Sequence, residues 1–217
     1  MKLSDYTFET FIPTPSNQLA RLSAQKVCET PGMYNPLYIF GPSGAGKTHL
    51  LHAIAKEYES KQKTILCVCA NQFLEEMLEA IRTGTTIEFR EKYHQADVLL
   101  IDGLQSFTGK EASQEELFNI FDRRLLENKQ IVVVGDNFGG RIPSLRIELQ
   151  ACLSRGLCIE IQTPDLDIKT KIIFEKLKNN GIEWPMDACR YVAYNTSSSI
   201  RQIEGEVNKI LAFRELL

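Results

Sequence analysis

The run Gly41-Pro42-Ser43-Gly44-Ala45-Gly46-Lys47-Thr48 satisfies every position of the pattern GxxxxGK[ST], with His49 directly after it. Glycines at these spacings let successive backbone N–H groups converge on phosphate oxygens, and a helix starting there adds its positive end. Lys47 has the reach for β- and γ-phosphates. Thr48 offers a hydroxyl to Mg²⁺, a hard cation that takes oxygen ligands and keeps several waters. This is the chemistry of a nucleoside triphosphate held together with its metal. It needs a second group, a carboxylate at the end of a buried strand, and Val98-Leu-Leu-Ile-Asp102 supplies one. By itself an acid after four apolar residues can also be a strand-ending cap. Beside a complete P-loop, Asp102 reads as a metal-associated acid.

Such groups must be carried by a scaffold of strands ending at a common edge. Apolar runs of strand length recur at Leu37 to Phe40, Thr64 to Cys69, Val98 to Asp102, Ile131 to Val134 and Cys158 to Ile161. Strands that are almost continuously apolar are covered on both faces, as in a parallel sheet between helices. Between them lie helix-period stripes, for example Leu74, Met77, Leu78 and Ile81, then Leu117, Ile120, Phe121 and Leu125. The fold class is therefore α/β, a five-stranded parallel sheet sandwiched by helices to about residue 162. Beyond it the pattern is helical only. Thr163 can cap a helix with Pro164 in its first turn and Gly181 as its stop; Pro185 opens a second that ends near Asn195. Ser199 and Gln202 fit a capping box for a third, striped by Ile200, Ile203, Val207 and Ile210. The expected organisation is an α/β base over 1–162 and a small three-helix lid over 163–217.

With 43% hydrophobic and 24% charged residues in 217, the composition is that of an ordinary soluble protein. There is no run of eighteen apolar residues for a membrane span, and the first residues show no targeting segment, so a cytoplasmic location is expected. Six cysteines without a CxxC pair read as reduced structural thiols rather than a zinc site. A net charge of -3 gives no overall attraction to nucleic acid, so DNA contact requires a local patch or another domain.

The segments YTFETF, SNQLA, YNPLYIFGPSGAGKTHLLHAI, FREKY, VLLID, GKEASQEELFNIF and SSSIRQIEGEVNKI, in this order, resemble the ATPase domain of the bacterial DnaA replication initiators, within the AAA+ family. The similarity spans nearly the whole chain. It implies a P-loop AAA+ base with an all-α lid, ATP or ADP and Mg²⁺ bound between them, and self-assembly, or assembly with another DnaA-like subunit, at a replication origin. On matching positions it makes Asp102 the magnesium acid, Asp136 the sensor of the γ-phosphate and Arg201 the lid sensor. Without the resemblance, Asp136 can be read as a strand-end turn acid before the NFGG stretch, and Arg201 reads first as a solvated helix-face arginine. The segment from Tyr6 to Asn17 resembles the part that cups the adenine, which makes Asn17 and the aromatics Tyr6, Phe8 and Phe11 candidates; core packing is the alternative for each aromatic. Residues 71–94 read as two helices and resemble the helical insertion that faces single-stranded DNA in the family. Arg82, Arg90 and Lys92 are its basic candidates, mixed with Glu79, Glu88 and Glu91, and a solvated amphipathic face is the alternative.

Three departures bear on turnover. Where such initiators carry a second acid after Asp102, this chain has Gly103, which cannot polarise water; nearby Gln105 is a residue type that orients water in some GTPases. Counting back from the Gly156-Leu157 step, Cys152 stands where the family has the arginine that reaches a neighbour's ATP. Arg155 is one turn further on but would point about 60° away on a helix. The chain also stops at Leu217, where an initiator continues into a helix-turn-helix domain. The expectation is a slowly hydrolysing, ATP-dependent switch module of an initiator; the alternatives are a stand-alone regulator resembling Hda, without direct origin binding, and a small-molecule P-loop kinase.

Overall fold

A computed structural model of the chain describes residues 6–137, 145–196 and 199–216. Its five parallel strands are β1 (Leu37–Phe40), β2 (Ile65–Cys69), β3 (Val98–Asp102), β4 (Gln130–Gly135) and β5 (Leu157–Glu160), in the spatial order β2-β3-β4-β1-β5. Each agrees with the apolar run read from the sequence to within a residue at either end. Parallel neighbours need crossover connections, and helices supply them: α2 (Lys47–Ser60) follows β1, α3 (Ala70–Thr83) and α4 (Thr86–Gln95) follow β2, α5 (Glu111–Leu126) follows β3, and α6 (Ile147–Ser154) precedes β5. An additional helix, α1 (Gln18–Glu29), runs ahead of β1.

Strand side chains alternate between two cores. Tyr38, Leu99, Ile101, Ile131 and Val133 meet one face, packed by α3, α4, α5 and α6. Leu37, Ile39, Leu100, Val132 and Val134 meet the other, packed by α1 and α2. With both faces covered, a continuous apolar sequence is what the strands require. Register then aligns their carboxyl ends: Phe40 pairs with Gly135, and Asp102 with Val134. Residues just past β1, β3 and β4 are thereby neighbours on one edge of the sheet.

Near the opposite edge lies Arg124 of α5, fully buried. Its guanidinium donates to the carbonyls of Tyr93 (2.8 Å), Ala96 (3.0 Å), Asp97 (3.3 Å) and Gln130 (3.0 Å). These are the last turn of α4, the connection into β3 and the first residue of β4. Burial lowers its pKa to about 10, still well above neutrality. A single side chain thus ties together the end of α4, the connection into β3 and the start of β4.

After β5 come α7 (Leu166–Asn179), α8 (Met186–Asn195) and α9 (Ile200–Leu216). They share a separate core of Ile172, Ile173, Leu177, Cys189, Ala193, Ile203 and Val207. The sequence-based cap shifts here: Asp165, not Thr163, caps α7, its carboxylate accepting from Ile168 N at 2.8 Å. Pro164 therefore precedes the cap, where its missing N–H costs nothing. A second difference concerns α3, in which Leu74 and Met77 are buried while Leu78 (66% exposed) and Ile81 (56%) face outward. The helix uses Phe73 and Ala80 as its inner stripe instead. Among the described residues no helix is long and apolar enough to cross a membrane.

Removing the Arg124 guanidinium leaves four carbonyls to be satisfied by water that has no access. Arg124→Ala should cost about 3 kcal/mol or more of unfolding free energy, since each buried unsatisfied group costs roughly 1–3 kcal/mol. Urea unfolding checks it, and a loss below about 1 kcal/mol would mean that the carbonyls find other donors.

Candidate functional site

At the carboxyl edge of the sheet, β1 turns through Gly41 to Gly46 into α2, so that Lys47 and Thr48 begin the helix. The Lys47 side chain is buried, and its ammonium donates to Gly41 O (2.5 Å), Pro42 O (2.9 Å) and Asp136 Oδ1 (3.1 Å). Asp136 follows β4, the strand beside β1, which is why an acid 89 residues away reaches the loop lysine. Thr48 Oγ1 donates to Asp102 Oδ2 at 2.7 Å across the sheet edge. A hydroxyl and a carboxylate so close form an oxygen pair suited to a small hard cation whose remaining positions are water or phosphate. No cluster of three or more His, Cys, Asp or Glu that could hold a metal by itself occurs among the described residues. The geometry fits Mg²⁺ held partly by protein and not a closed metal cage.

One cleft joins this edge to α7 and α9. Asn17, Ser43, Gly44, Gly46, Lys47, Thr48, His49, Asp102, Asp136 and Arg201 all line it. Of the candidate residues, Gly41, Pro42 and Ala45 do not; Gly41 and Pro42 serve through the carbonyls that hold Lys47, and Ala45 is buried beneath the loop. The lining has an apolar part from Tyr6, Phe11, Ile12, Ile172 and Ile200 and a polar part from the loop and strand ends. Phe8 lies in the core instead.

Three cations and three acids line the cleft: Lys47, Lys176 and Arg201 against Asp102, Asp136 and Glu204. Lys47 pairs with Asp136 (3.1 Å), and Lys176 with Glu204 (2.9 Å). Arg201 makes no hydrogen bond or ion pair with any described residue, although it opens α9 beside the P-loop. The approach is close. Ile200 N donates to Gly44 O at 2.9 Å, and a Cβ on Gly44 would lie 2.1 Å from Ser199 Oγ, so only glycine admits the start of α9 there.

Asn17 is buried, with Oδ1 accepting from Thr14 N (2.7 Å) and Nδ2 donating to Ile12 O (3.1 Å). Both ends of its amide thus shape the segment that lines the cleft. His49 holds the same segment from the other side: its Nε2 lies 2.9 Å from Thr7 O and 3.3 Å from Thr10 Oγ1, and its ring lies tilted against Tyr6 and edge-on to Phe11. Burial, opposed by the Thr7 bond, lowers the His49 pKa below its ordinary 6.5.

Sequence reading missed Lys176 and Glu204 as lining residues. Glu204 stands three positions after Arg201 on one helix, a usable signal. Lys176 carries none, because its place depends on how α7 packs on α9. Cys152, the residue that the resemblance sets at the arginine-finger position, is a buried thiol whose pKa is pushed up to about 11 by burial, and Arg155 is exposed at the end of α6. The NFGG stretch beyond Asn137, the residues Pro143 and Ser144, and Ser197 and Ser198 lie outside the described residues.

The family model described as the bacterial DnaA ATPase domain matches residues 3–160. The chain belongs to the DnaA family. It is 43% identical over 216 residues to the chromosomal replication initiator protein DnaA of Nautilia profundicola, covering 99% of this chain and 49% of that protein. The chain spans about half the length of the curated relatives it matches. Domain III of the Thermotoga maritima DnaA superposes with a TM-score of 0.92 at 33% identity, covering 98% of this chain and 90% of that one. A DnaA solved with AMPPCP and single-stranded DNA superposes with a TM-score of 0.90 at 34% identity, over 94% of this chain and 64% of that one. The DnaA fold is thus the AAA+ P-loop architecture expected from the sequence.

All three histidines, His49, His52 and His94, have pKa values lowered first by burial. The unfolded chain then binds more protons than the folded one below about pH 6.5, so stability should be full above that value and fall as the pH drops beneath it. Thermal midpoints recorded across this range should show the decline, and His49→Gln should make it shallower. A profile without slope would contradict the burial of these rings.

Proposed function

We propose that this chain is the nucleotide-responsive AAA+ module of a DnaA-type replication initiator, binding ATP or ADP with Mg²⁺ and hydrolysing ATP slowly. The observation that carries this reading is the convergence of Lys47, Thr48, Asp102, Asp136 and Arg201 on one cleft, in a chain whose relatives are initiators. Lys47 takes β- and γ-phosphate oxygens; its ammonium has three protons, so a phosphate must displace at least one of its three present acceptors. Thr48 and Asp102 hold Mg²⁺, which neutralises phosphate charge. Asp136, being an acid, reports on the γ-phosphate through Lys47 more readily than by touching an anionic oxygen. Arg201, without a partner among the described residues, is the group left to meet the phosphates from α9.

In this reading residues 1–162 act as the base and 163–217 as a lid. The bond from Ile200 N to Gly44 O supports their coupling, since any adjustment of the loop around phosphate is felt by the first turn of α9. The apolar lining from Tyr6, Phe11 and Ile172 takes the base of the nucleotide. Slow hydrolysis is supported by Gly103, which brings no carboxylate, and by Cys152, which is buried and too short to reach a neighbour. Contact with single-stranded DNA is supported by the likeness to a DnaA solved with that ligand; its assignment to the 71–94 helices, and nucleotide-dependent self-assembly or assembly with another DnaA-like subunit, rest on the family resemblance alone. Arg82, Arg90 and Lys92 are paired with Glu79, Glu116 and Glu76, so phosphate contact would require exchange of these exposed pairs. A stand-alone regulator is not favoured by relatives that are themselves named initiators.

Calorimetric titration with MgATP and MgADP tests the proposal. Lys47→Ala should weaken binding by roughly 10- to 100-fold, the range for losing one charge-assisted hydrogen bond at about 1.5–3 kcal/mol. Unchanged affinity would remove the basis of the reading, and steady-state turnover matching an initiator with both acids and its arginine would reject the slow-hydrolysis part.

A further inference from the structure

Loss of the carboxylate after Asp102 leaves open which group, if any, directs water at the γ-phosphate. Gln105 stands on a 3₁₀ turn, Leu104–Phe107, immediately after Gly103 and lines the same cleft as Lys47, Thr48 and Asp102. Its amide nitrogen lies 3.9 Å from where a Cβ at position 103 would be. The carboxamide therefore sits alongside the space that a side chain at 103 would enter. Its Oε1 is buried and has no hydrogen-bond partner among the described residues. By contrast, the other carboxamide of the cleft, Asn17, has both ends engaged.

The mount is rigid. Gly103 N donates to Val134 O at 3.0 Å, Ser106 N to Gly103 O at 2.9 Å and Thr108 N to Gln105 O at 3.1 Å, while Leu104 and Phe107 on either side are fully buried. A polar side chain held between two anchors, with an acceptor that has no partner, is built to receive something small. As it stands Oε1 is buried, and a half turn of the carboxamide exchanges oxygen and nitrogen so that the oxygen can accept from a water in the cleft.

We propose that Gln105 is a catalytic residue of this chain, orienting the attacking water by accepting a hydrogen bond from it, in place of the carboxylate that Gly103 does not provide. The inference rests on the MgATP reading above. The water oxygen forms the new bond to the γ-phosphorus, and the bond from that phosphorus to the β–γ bridging oxygen breaks. The electron pair leaves on ADP, and the water's proton ends on the released phosphate. An amide is no base, so Gln105 orients without taking the proton, and the slow rate expected of the site follows.

Single-turnover hydrolysis of MgATP, measured with nucleotide affinity, on wild type, Gln105→Ala and Gln105→Glu tests the assignment. Gln105→Ala should lose about tenfold or more in rate with affinity within about twofold, as expected for a water-orienting group. Gln105→Glu keeps an acceptor of the same length and adds a base, so it should retain at least about a third of the wild-type rate or exceed it. Wild-type rate in Gln105→Ala, loss of nucleotide affinity along with rate, or an equal loss in Gln105→Glu would each overturn it. So would a wild-type chain that binds MgATP without turning it over, an outcome that leaves the nucleotide reading intact. Failure of wild type to bind MgATP would remove that reading and this inference with it.

Discussion

All five strands run in the same direction, and the rest of the cleft depends on this. Because β1 lies between β4 and β5, and β3 lies beyond β4, the residues that follow β1, β4 and β3 emerge side by side on one edge. The Phe40–Gly135 and Asp102–Val134 pairings fix their heights. Gly41, Asp136 and Asp102 are far apart in sequence and adjacent here for no other reason. Ligands of open parallel sheets bind outside the carboxyl ends of the strands because this edge alone gathers loops from several strands around the amino end of a helix.

Charge within the cleft follows from the same edge. The Lys47 ammonium would be costly to bury alone, and two loop carbonyls with Asp136 compensate it. Thr48 and Asp102 are held together by the bond from Oγ1 to Oδ2, and both line the cleft. With Lys176 and Glu204 paired, Asp102 and Arg201 are left as the charged groups of the cleft without an ionic partner among the described residues, one at the strand edge and one on α9. A polyanion accompanied by a divalent cation answers both at once, whereas either ion alone would answer one. On the proposed reading this is why nucleotide identity would matter to the relation between sheet and C-terminal helices.

Much of this was legible because its causes are local. A P-loop is a strand, a turn and a helix in uninterrupted sequence, and the strand before it and the acid at the end of β3 are marked by apolar runs that only a doubly covered sheet uses. Where causes are not local, the sequence was a weaker guide. An apolar stripe marks a helix but not the width of its buried face, so Leu78 and Ile81 were grouped with Leu74 and Met77 although α3 turns them outward. Thr163 and Asp165 are both capping types, and only the path of the chain after β5 decides for Asp165. Lys176 reaches the cleft through packing among α7, α8 and α9 that no periodicity encodes. For Asp136, the residue type alone left a turn acid as an alternative, and its bond to Lys47 depends on β4 being the neighbour of β1.

Position 103 shows how chemistry and backbone can be linked at one residue. Gly103 has φ +94°, a left-handed conformation that L side chains adopt only with strain of order 1–3 kcal/mol, while a Cβ there would meet nothing closer than 3.9 Å. The space is open, and the obstacle is the dihedral. Simply restoring an acid would therefore either strain the turn or move it, and the turn is tied to β4 through Gly103 N and Val134 O. Moving it would shift Leu104 and Phe107, both fully buried in the core beneath α3 and α5. The difference at 103 is thus a property of the whole strand-to-helix connection, and the polar group that this connection brings into the cleft is the carboxamide two residues later.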